Sequence, residues 1–424
     1  MGWDEEKAER AQAAFALPRR EMDAAARSFQ GEIGQGLAGK ESSLKFLPAY
    51  VGLPTGEETG EFLTVDFGGT NVRAAKVRLL GGGRYEVTAR AEKPLRLLGT
   101  YDFTGKDTSA VTLFGVLADL VIEAAGGDKE KVYRLGHTFS FPSEQATLAD
   151  ARLIQWTKEF AVSGVEGELV NALLSEALAV RGFHNIRPVS VINDTVGVLL
   201  AAAYQMPGTF IGAIYATGYN ACYHETFEGN RRATILNLES GGFVQVAQND
   251  YDRHLDEESE KPGAQRLEKM TSGRYLGELY ALALADILAL EKPPPFSAVE
   301  LAAVVSGERE ALEKMAALSG TPLTPRATAQ AVGLAAAIAG RSAGLVAASF
   351  AGILRHRAAE HMPSSRCIAV EGALYEKFPG LSVTVSRALT IFLQGSGITP
   401  PSVCLVRGGA TIGAALSAAM AEEA

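Results

Sequence analysis

The sequence predicts an α/β protein of two or three domains, and three observations predict it. Short apolar segments that read as strands alternate with segments of helical period. Two segments of one design, each a strand, a glycine-containing turn and a second strand, recur 149 residues apart. The 424 residues, 47% of them hydrophobic, supply enough apolar material for a large buried core.

Along the chain, the first thirty or so residues set Phe15, Leu17, Met22 and Phe29 among charges and read as helical and surface-packed. At Phe62 the run FLTVD meets FGGTN and then VRAAKVRLL; at Phe210, FIGAIY meets ATGYN and then ACYHE. Both are hairpin patterns. Shifted by 149 residues, Gly69 falls on Gly218 and Asn71 on Asn220. That is the signature of a duplication, although any two glycine-turn hairpins share this much. Residues 112–125, 166–180 and 273–290 read as helices, and 132–135, 189–192, 368–370 and 403–406 as strands. The proline-rich stretches near Pro293 and Pro322 read as loops or helix boundaries.

Composition excludes several classes. Forty Lys plus Arg against 49 Asp plus Glu give a net charge of −9 without basic runs, which argues against a nucleic-acid surface. The cysteines, Cys222, Cys367 and Cys404, are scattered, with no CxxC pair, which argues against structural zinc and for a reducing compartment. The N-terminus lacks the apolar core of a signal peptide, so the expected location is cytoplasmic. The most apolar stretch, 331–354, carries Arg341 near its middle. An arginine at mid-bilayer costs about 2.5 to 3.5 kcal/mol on insertion scales, so a buried helix and no membrane span is expected.

Asp66-Phe67-Gly68-Gly69-Thr70-Asn71 closes an apolar strand. Paired glycines let main-chain N–H groups turn toward an anion, Thr70 adds a hydroxyl, and Asp66 could hold a hydrated Mg²⁺. The same residues also make an ordinary hairpin turn. The second turn, around Thr217 and Gly218, could close on a phosphate from the opposite side, as in the actin-like ATPases. Asn193-Asp194-Thr195 places a carboxylate after an apolar strand, where open α/β sheets bind ligands and where a helix N-cap would equally sit. Ser140, Thr157, Lys158, Glu239 and Glu268 are polar groups in apolar, glycine-rich or charged surroundings; any one of them alone could be a solvated residue, and for Glu268 in its charged helical context that is the favoured reading.

Taken in order, LPAYVG, FLTVDFGGTNVR, HTFSFPSE, WTKEF, INDTVG, TGYNACY and PGAQRLEKMTSGRYLGEL resemble the eukaryotic-type hexokinase/glucokinase family, from about Leu47 to the C-terminus. The resemblance implies a two-lobed actin-like ATPase fold of duplicated ribonuclease-H-like halves. It implies a small lobe of residues 61–192 plus 408–424 and a large lobe of 1–60 plus 193–407. It also implies ATP and Mg²⁺ as cosubstrate and cofactor, and a hexose, D-glucose above all, as acceptor at its 6-hydroxyl. Carried over residue by residue, Asp194 is the general base and Lys158 a second catalytic residue. Ser140, Thr157, Lys158, Asn193, Asn220, Glu239 and Glu268 are hexose-binding. Asp66, Gly68, Gly69, Thr70, Asn71, Thr217, Gly218, Gly409 and Thr411 form the phosphate and Mg²⁺ side. Such a mixture of carboxylates, amides and hydroxyls suits a ligand whose hydroxyls both donate and accept. Phosphoryl transfer asks mainly for positioning, charge stabilisation and a base.

The departures lie mostly on the nucleotide side. Gly409-Ala410-Thr411-Ile412-Gly413 stands where the family has Gly-Ser-Gly, a basic residue and Gly; Glu371-Gly372 replaces Asp-Gly; Ala216 replaces a glycine; and Ser240 replaces the Trp after Glu239. They keep two other readings open: a hexose sensor with little catalysis, and a hexokinase using another phosphoryl donor. The zinc motif of the bacterial repressor/ORF/kinase glucokinases has no counterpart. A monomer and a homodimer are equally compatible with the sequence.

Overall fold

The computed structural model describes residues 2–157, 160–227, 233–361 and 365–422. The chain divides into two compact units. The first comprises Met1–Phe46, Ile214–Ala221 and Leu238–Leu405, and the second Leu47–Ala213, Cys222–Asn237 and Val406–Ala424.

The second unit holds a five-stranded sheet in the order Ile186–Ile192, Tyr133–Phe139, Thr59–Phe67, Asn71–Gly81, Arg84–Pro94. The first three strands run parallel, and the last two continue antiparallel from the hairpin turn after Phe67. Period-two alternation puts Val65 and Phe67 in the core and leaves Asp66 on the opposite face, paired in register with Arg73 and Thr138. The helix Ala110–Ala125 covers the apolar face, capped by Ser109 and ended by Gly126 in the left-handed region at φ 74°. The helix expected from residue 166 starts at Val170 instead. Glu166 is used otherwise, accepting the Trp156 amide, Gly167 turns the chain at φ 81°, and Asp150 takes the amides of Asn171 and Ala172.

The other sheet has six strands, in the order Leu47–Pro48, Thr234–Asn237, Tyr219–Glu225, Ile211–Tyr215, Cys367–Glu371, Ser402–Leu405. Apart from Leu47–Pro48, it repeats the first sheet. A hairpin and a third antiparallel strand lie on one side of the first strand, and two strands reached through helices lie on the other. The hairpins aligned by sequence therefore hold equivalent places.

The duplication extends to two helices of the second unit, Asp194–Gln205 and Gly409–Met420, which follow the last strand of each sheet. They cross about one turn from their N-termini at Gly197 and Gly413. A Cβ on Gly413 would lie 2.3 Å from the Gly197 Cα, and one on Gly197 would lie 3.1 Å from the Ala410 Cα. Strand glycines seat the pair. A Cβ on Gly136 would meet the Ala414 carbonyl oxygen at 1.9 Å, and one on Gly212 would meet the Leu199 Cβ at 2.7 Å.

In the first unit, the predicted apolar helix runs over Pro325–Ala359, with Thr324 as cap and Pro325 at its start. It is the one helix among the described residues long and apolar enough to cross a membrane, and most of its apolar window is buried inside the protein. It packs on Arg19–Leu37 and Leu381–Leu393. Arg341 is buried in a bidentate pair with Asp252, at 2.6 and 2.7 Å. Asp252 in turn closes a capping box with Asn249.

Gly413→Ala should cost about 2 kcal/mol or more of stability, because the added methyl meets backbone that cannot rotate away. The same change at Gly31, a helical position with nothing within 4 Å, should stabilise by up to about 1 kcal/mol. Thermal denaturation of the two variants checks this, and equal midpoints would contradict the close crossing.

Candidate active site

The polar residues singled out in the sequence fall into two sets, one in each unit. In the second unit, five rings, Phe67, Phe139, Phe141, Trp156 and Phe160, form one cluster with centroid spacings of 4.9 to 6.2 Å. Each ring is buried, and the predicted site residues are their chain neighbours: Asp66 beside Phe67, Ser140 between Phe139 and Phe141, Thr157 after Trp156. The Trp156 indole donates to the Val162 carbonyl, the Ser140 amide to the Phe67 carbonyl, and the Phe160 amide to the Thr157 carbonyl. The apolar cluster thereby anchors the backbone that carries the polar groups. Lys158 lies outside the described residues.

Asp66 lies 3.7 Å from an Arg73 guanidinium nitrogen, and Arg73 also pairs with Glu92. In the following turn, a Cβ on Gly68 would meet nothing within 4 Å. The Thr70 carbonyl accepts the Leu95 amide, and Asn71 opens the next strand opposite Pro94. Among the described residues no three His, Cys, Asp or Glu side chains gather as a metal cluster. Asp66 alone fits Mg²⁺ nonetheless, because that ion keeps most of its waters and binds through one or two carboxylates plus phosphate oxygens.

Asp194 is the first residue of its helix, with Asn193 as cap. The Asn193 Oδ1 accepts the Thr195 amide at 2.9 Å. Asp194 Oδ1 also accepts that amide, at 2.8 Å, and lies 3.4 Å from the Thr195 hydroxyl. Its Oδ2 takes no hydrogen bond from the described residues, which leaves one oriented oxygen available to a ligand. Thr195 was not among the predicted site residues. Its signal was present, since Thr195-Val196-Gly197 repeats as Thr411-Ile412-Gly413, the two helix starts that cross. In that alignment Ala410 takes the place of Asp194. The Ala410 carbonyl accepts the Thr138 hydroxyl at 2.9 Å, which ties the Gly409–Met420 helix start to the strand beside Asp66. Asp66, Asp194, Gly409 and Thr411 are thus linked through one junction. Under it, the Cys222 thiol donates to the Thr195 carbonyl, and burial pushes its pKa well up, so it stays protonated.

In the first unit, the second turn is fixed by its carbonyls. Ala216 and Thr217 accept the amides of Gly273 and Arg274 at the start of the Gly273–Leu288 helix. Past Gly218, the Tyr219 amide donates to Glu268 at 3.1 Å, and a Cβ on Gly218 would sit 2.9 Å from the same carboxylate oxygen. Asn220 Oδ1 accepts two amides, of Ala221 at 2.7 Å and Ser240 at 3.0 Å. Its Nδ2 is therefore the donor, 3.5 Å from Glu239 Oε1. Glu239 itself is held at φ 51°, ψ 50°, a left-handed conformation that costs a non-glycine residue about 1–3 kcal/mol. The structure thus sets the oriented Asn220 amide beside Glu239, and Glu268 against the turn that holds Thr217 and Gly218.

Two family models described as hexokinase match residues 7–204 and 210–420. A rice (Oryza sativa subsp. japonica) relative, Hexokinase-1, is 33% identical over 96% of this chain and 89% of its own length. The chain belongs to the hexokinase family. A crystal structure of a hexokinase superposes with a TM-score of 0.87 at 31% identity, covering 98% of this chain and 99% of that one. The hexokinase from Schistosoma mansoni, complexed with glucose, superposes at 0.79 with 28% identity and covers 98% of both chains. These likenesses establish the actin-like ATPase fold of hexokinases. The Schizosaccharomyces pombe relative, Hexokinase-1, is 35% identical over 64% of this chain, a match that spans 59% of its own length.

His137, in the strand that delivers Ser140, is fully buried. Asn171 Nδ2 donates to two carbonyls, so its Oδ1 accepts from His137 Nδ1 at 3.1 Å, and the buried Nε2 has no hydrogen-bond partner among the described residues. Burial lowers the imidazole pKa from 6.5 to about 4, against the smaller opposing effect of Asn171. Below pH 6.5 the unfolded chain takes up a proton that the folded chain refuses. Stability should therefore fall by about 3 kcal/mol between pH 6.5 and pH 4 on this account alone. Urea titrations at several pH values should show that slope flattened in His137→Gln, and an unchanged slope would refute the assignment.

Proposed function

We propose that the chain is an ATP-dependent hexokinase that transfers the γ-phosphoryl group to the 6-hydroxyl of a hexose, with D-glucose as the preferred acceptor. The observation that carries the proposal is the Asp194 carboxylate, fixed by Thr195 through one oxygen with the other unbonded by any described residue. A base needs that geometry to take a proton from an attacking hydroxyl. Glucose in the Schistosoma mansoni relative supports the choice of acceptor.

In this reading Asn220 Nδ2 donates to a sugar hydroxyl, Glu239 and Glu268 accept from others, and Ser140, Thr157, Lys158 and Asn193 complete the set. A sugar lacking a bonded hydroxyl would leave buried polar groups unpaired, which is the source of specificity. Turn amides at Gly68, Gly69, Thr70, Thr217 and Gly218, with the helix start at Gly409 and Thr411, bind phosphate oxygens through main-chain donors. That dependence on backbone tolerates the altered side chains of the nucleotide side and favours ATP. Asp66 would hold Mg²⁺ through water, and the ion would neutralise charge on the phosphate oxygens.

Asp194→Asn keeps the size of the side chain and removes the base. Turnover should fall by about 10² to 10⁴-fold, with calorimetric affinity for glucose within about threefold of wild type. Near wild-type turnover would exclude Asp194 as the base. Glucose binding by the wild type without ADP formation from any nucleotide would instead identify a sensor.

A further inference from the structure

Glu32, in the Arg19–Leu37 helix, is 4% exposed, and no Lys, Arg or His among the described residues pairs with it. A buried carboxylate without a cation is costly and persists only when fully hydrogen-bonded. Its donors are all neutral. Oε2 accepts the Ser42 hydroxyl and the Ser43 amide, both at 2.6 Å, and Oε1 accepts the Gln245 side-chain amide at 2.6 Å. The groups gathered this way flank the segment that starts at Glu239. The Lys45 amide donates to the Leu238 carbonyl at 2.9 Å, and the Val244 amide to the Ser43 hydroxyl at 3.4 Å. A Cβ on Gly242 would lie 3.3 Å from the Ser43 carbonyl oxygen, and Phe29, one turn before Glu32, meets Phe243 edge to face at 4.9 Å.

We propose that Glu32 is a positioning residue for hexose binding: through Ser42, Ser43 and Gln245 it clamps residues 238–245 and so holds Glu239 in its left-handed conformation against Asn220. Residue 239 would otherwise relax toward an ordinary backbone conformation and withdraw its carboxylate from the Asn220 amide. The Ser240 amide that orients Asn220 would move with it. The clamp acts on the sugar-binding carboxylate, and among the described residues no hydrogen bond of Glu32, Ser42, Ser43 or Gln245 goes to Gly68, Gly69, Thr70, Thr217 or Gly218. It therefore governs affinity for the hexose and leaves the nucleotide alone. This inference rests on the hexokinase reading above.

Steady-state kinetics and glucose calorimetry on the full chain test it. Glu32→Ala should raise the glucose KM and Kd about tenfold, the equivalent of one lost charge-assisted hydrogen bond, with the KM for ATP within twofold. Glu32→Gln should restore most of the affinity. Its carbonyl still accepts from Ser42 and Ser43, and its amide meets Gln245 after that side chain turns over. Gln245→Ala, which leaves the buried carboxylate in place, should shift the glucose KM in the same direction by a few-fold and covers the case of an unfolded Glu32→Ala. A glucose KM within twofold of wild type in folded Glu32→Ala, or glucose and ATP constants rising together, overturns the clamp alone. A wild-type chain that neither binds nor phosphorylates a hexose overturns both the clamp and the reading beneath it.

Discussion

The contact between Gly197 and Gly413 is the constraint on which the rest of the second unit depends. Two helices with side chains at the crossing would stand 8–10 Å apart. Here a single added methyl would intrude on backbone at 2.3 Å. The close approach lets Gly136 and Gly212 admit the same helices onto their strands, and it fixes the N-terminal turns that carry Asp194 and Ala410. Both turns present amides with no helical partner, the natural surroundings for anions. The duplicated design thus supplies two equivalent helix starts, of which one keeps a carboxylate and the other an alanine.

The first unit solves its positioning problem with hydrogen bonds. Asn220 has its oxygen saturated by two main-chain amides, Glu268 accepts another, and Glu239 is held in a strained backbone. In both units main-chain amides orient the polar side chains: Thr195 holds Asp194, Ala221 and Ser240 hold Asn220, and Tyr219 holds Glu268. That close approach of side chain to backbone explains why glycines crowd these turns. Gly241, whose Cβ would fall 2.9 Å from both Gln265 and Glu268, has no room for a side chain because the polar cluster is packed against main chain.

Much of this was legible in the sequence. The hairpins at Phe62 and Phe210, the strand ends just after Asp66 and before Asn193, and the burial of the helix around Arg341 all follow from period and from residues with one conformational use. The helix expected from residue 166 failed because apolar periodicity does not reveal that Glu166 and Asp150 spend their carboxylates on distant amides. The role of Thr195 and the Gly197–Gly413 crossing went unread for another reason. The turns align at Gly69 and Gly218, whereas the stronger repeat begins at the helix starts, Thr195 and Thr411. Glu32 was invisible because a lone glutamate in a helix looks solvated until its neighbours from residues 42–43 and 245 are in place.

Whether these two sets of polar groups serve phosphoryl transfer to a sugar is decided most directly by the product. Phosphorus NMR of the wild-type chain with ATP, Mg²⁺ and glucose should show ADP appearing in step with a phosphate monoester on the 6-oxygen of the sugar, with inorganic phosphate a minor product. Inorganic phosphate as the sole new species, formed at the same rate with and without glucose, would contradict the account.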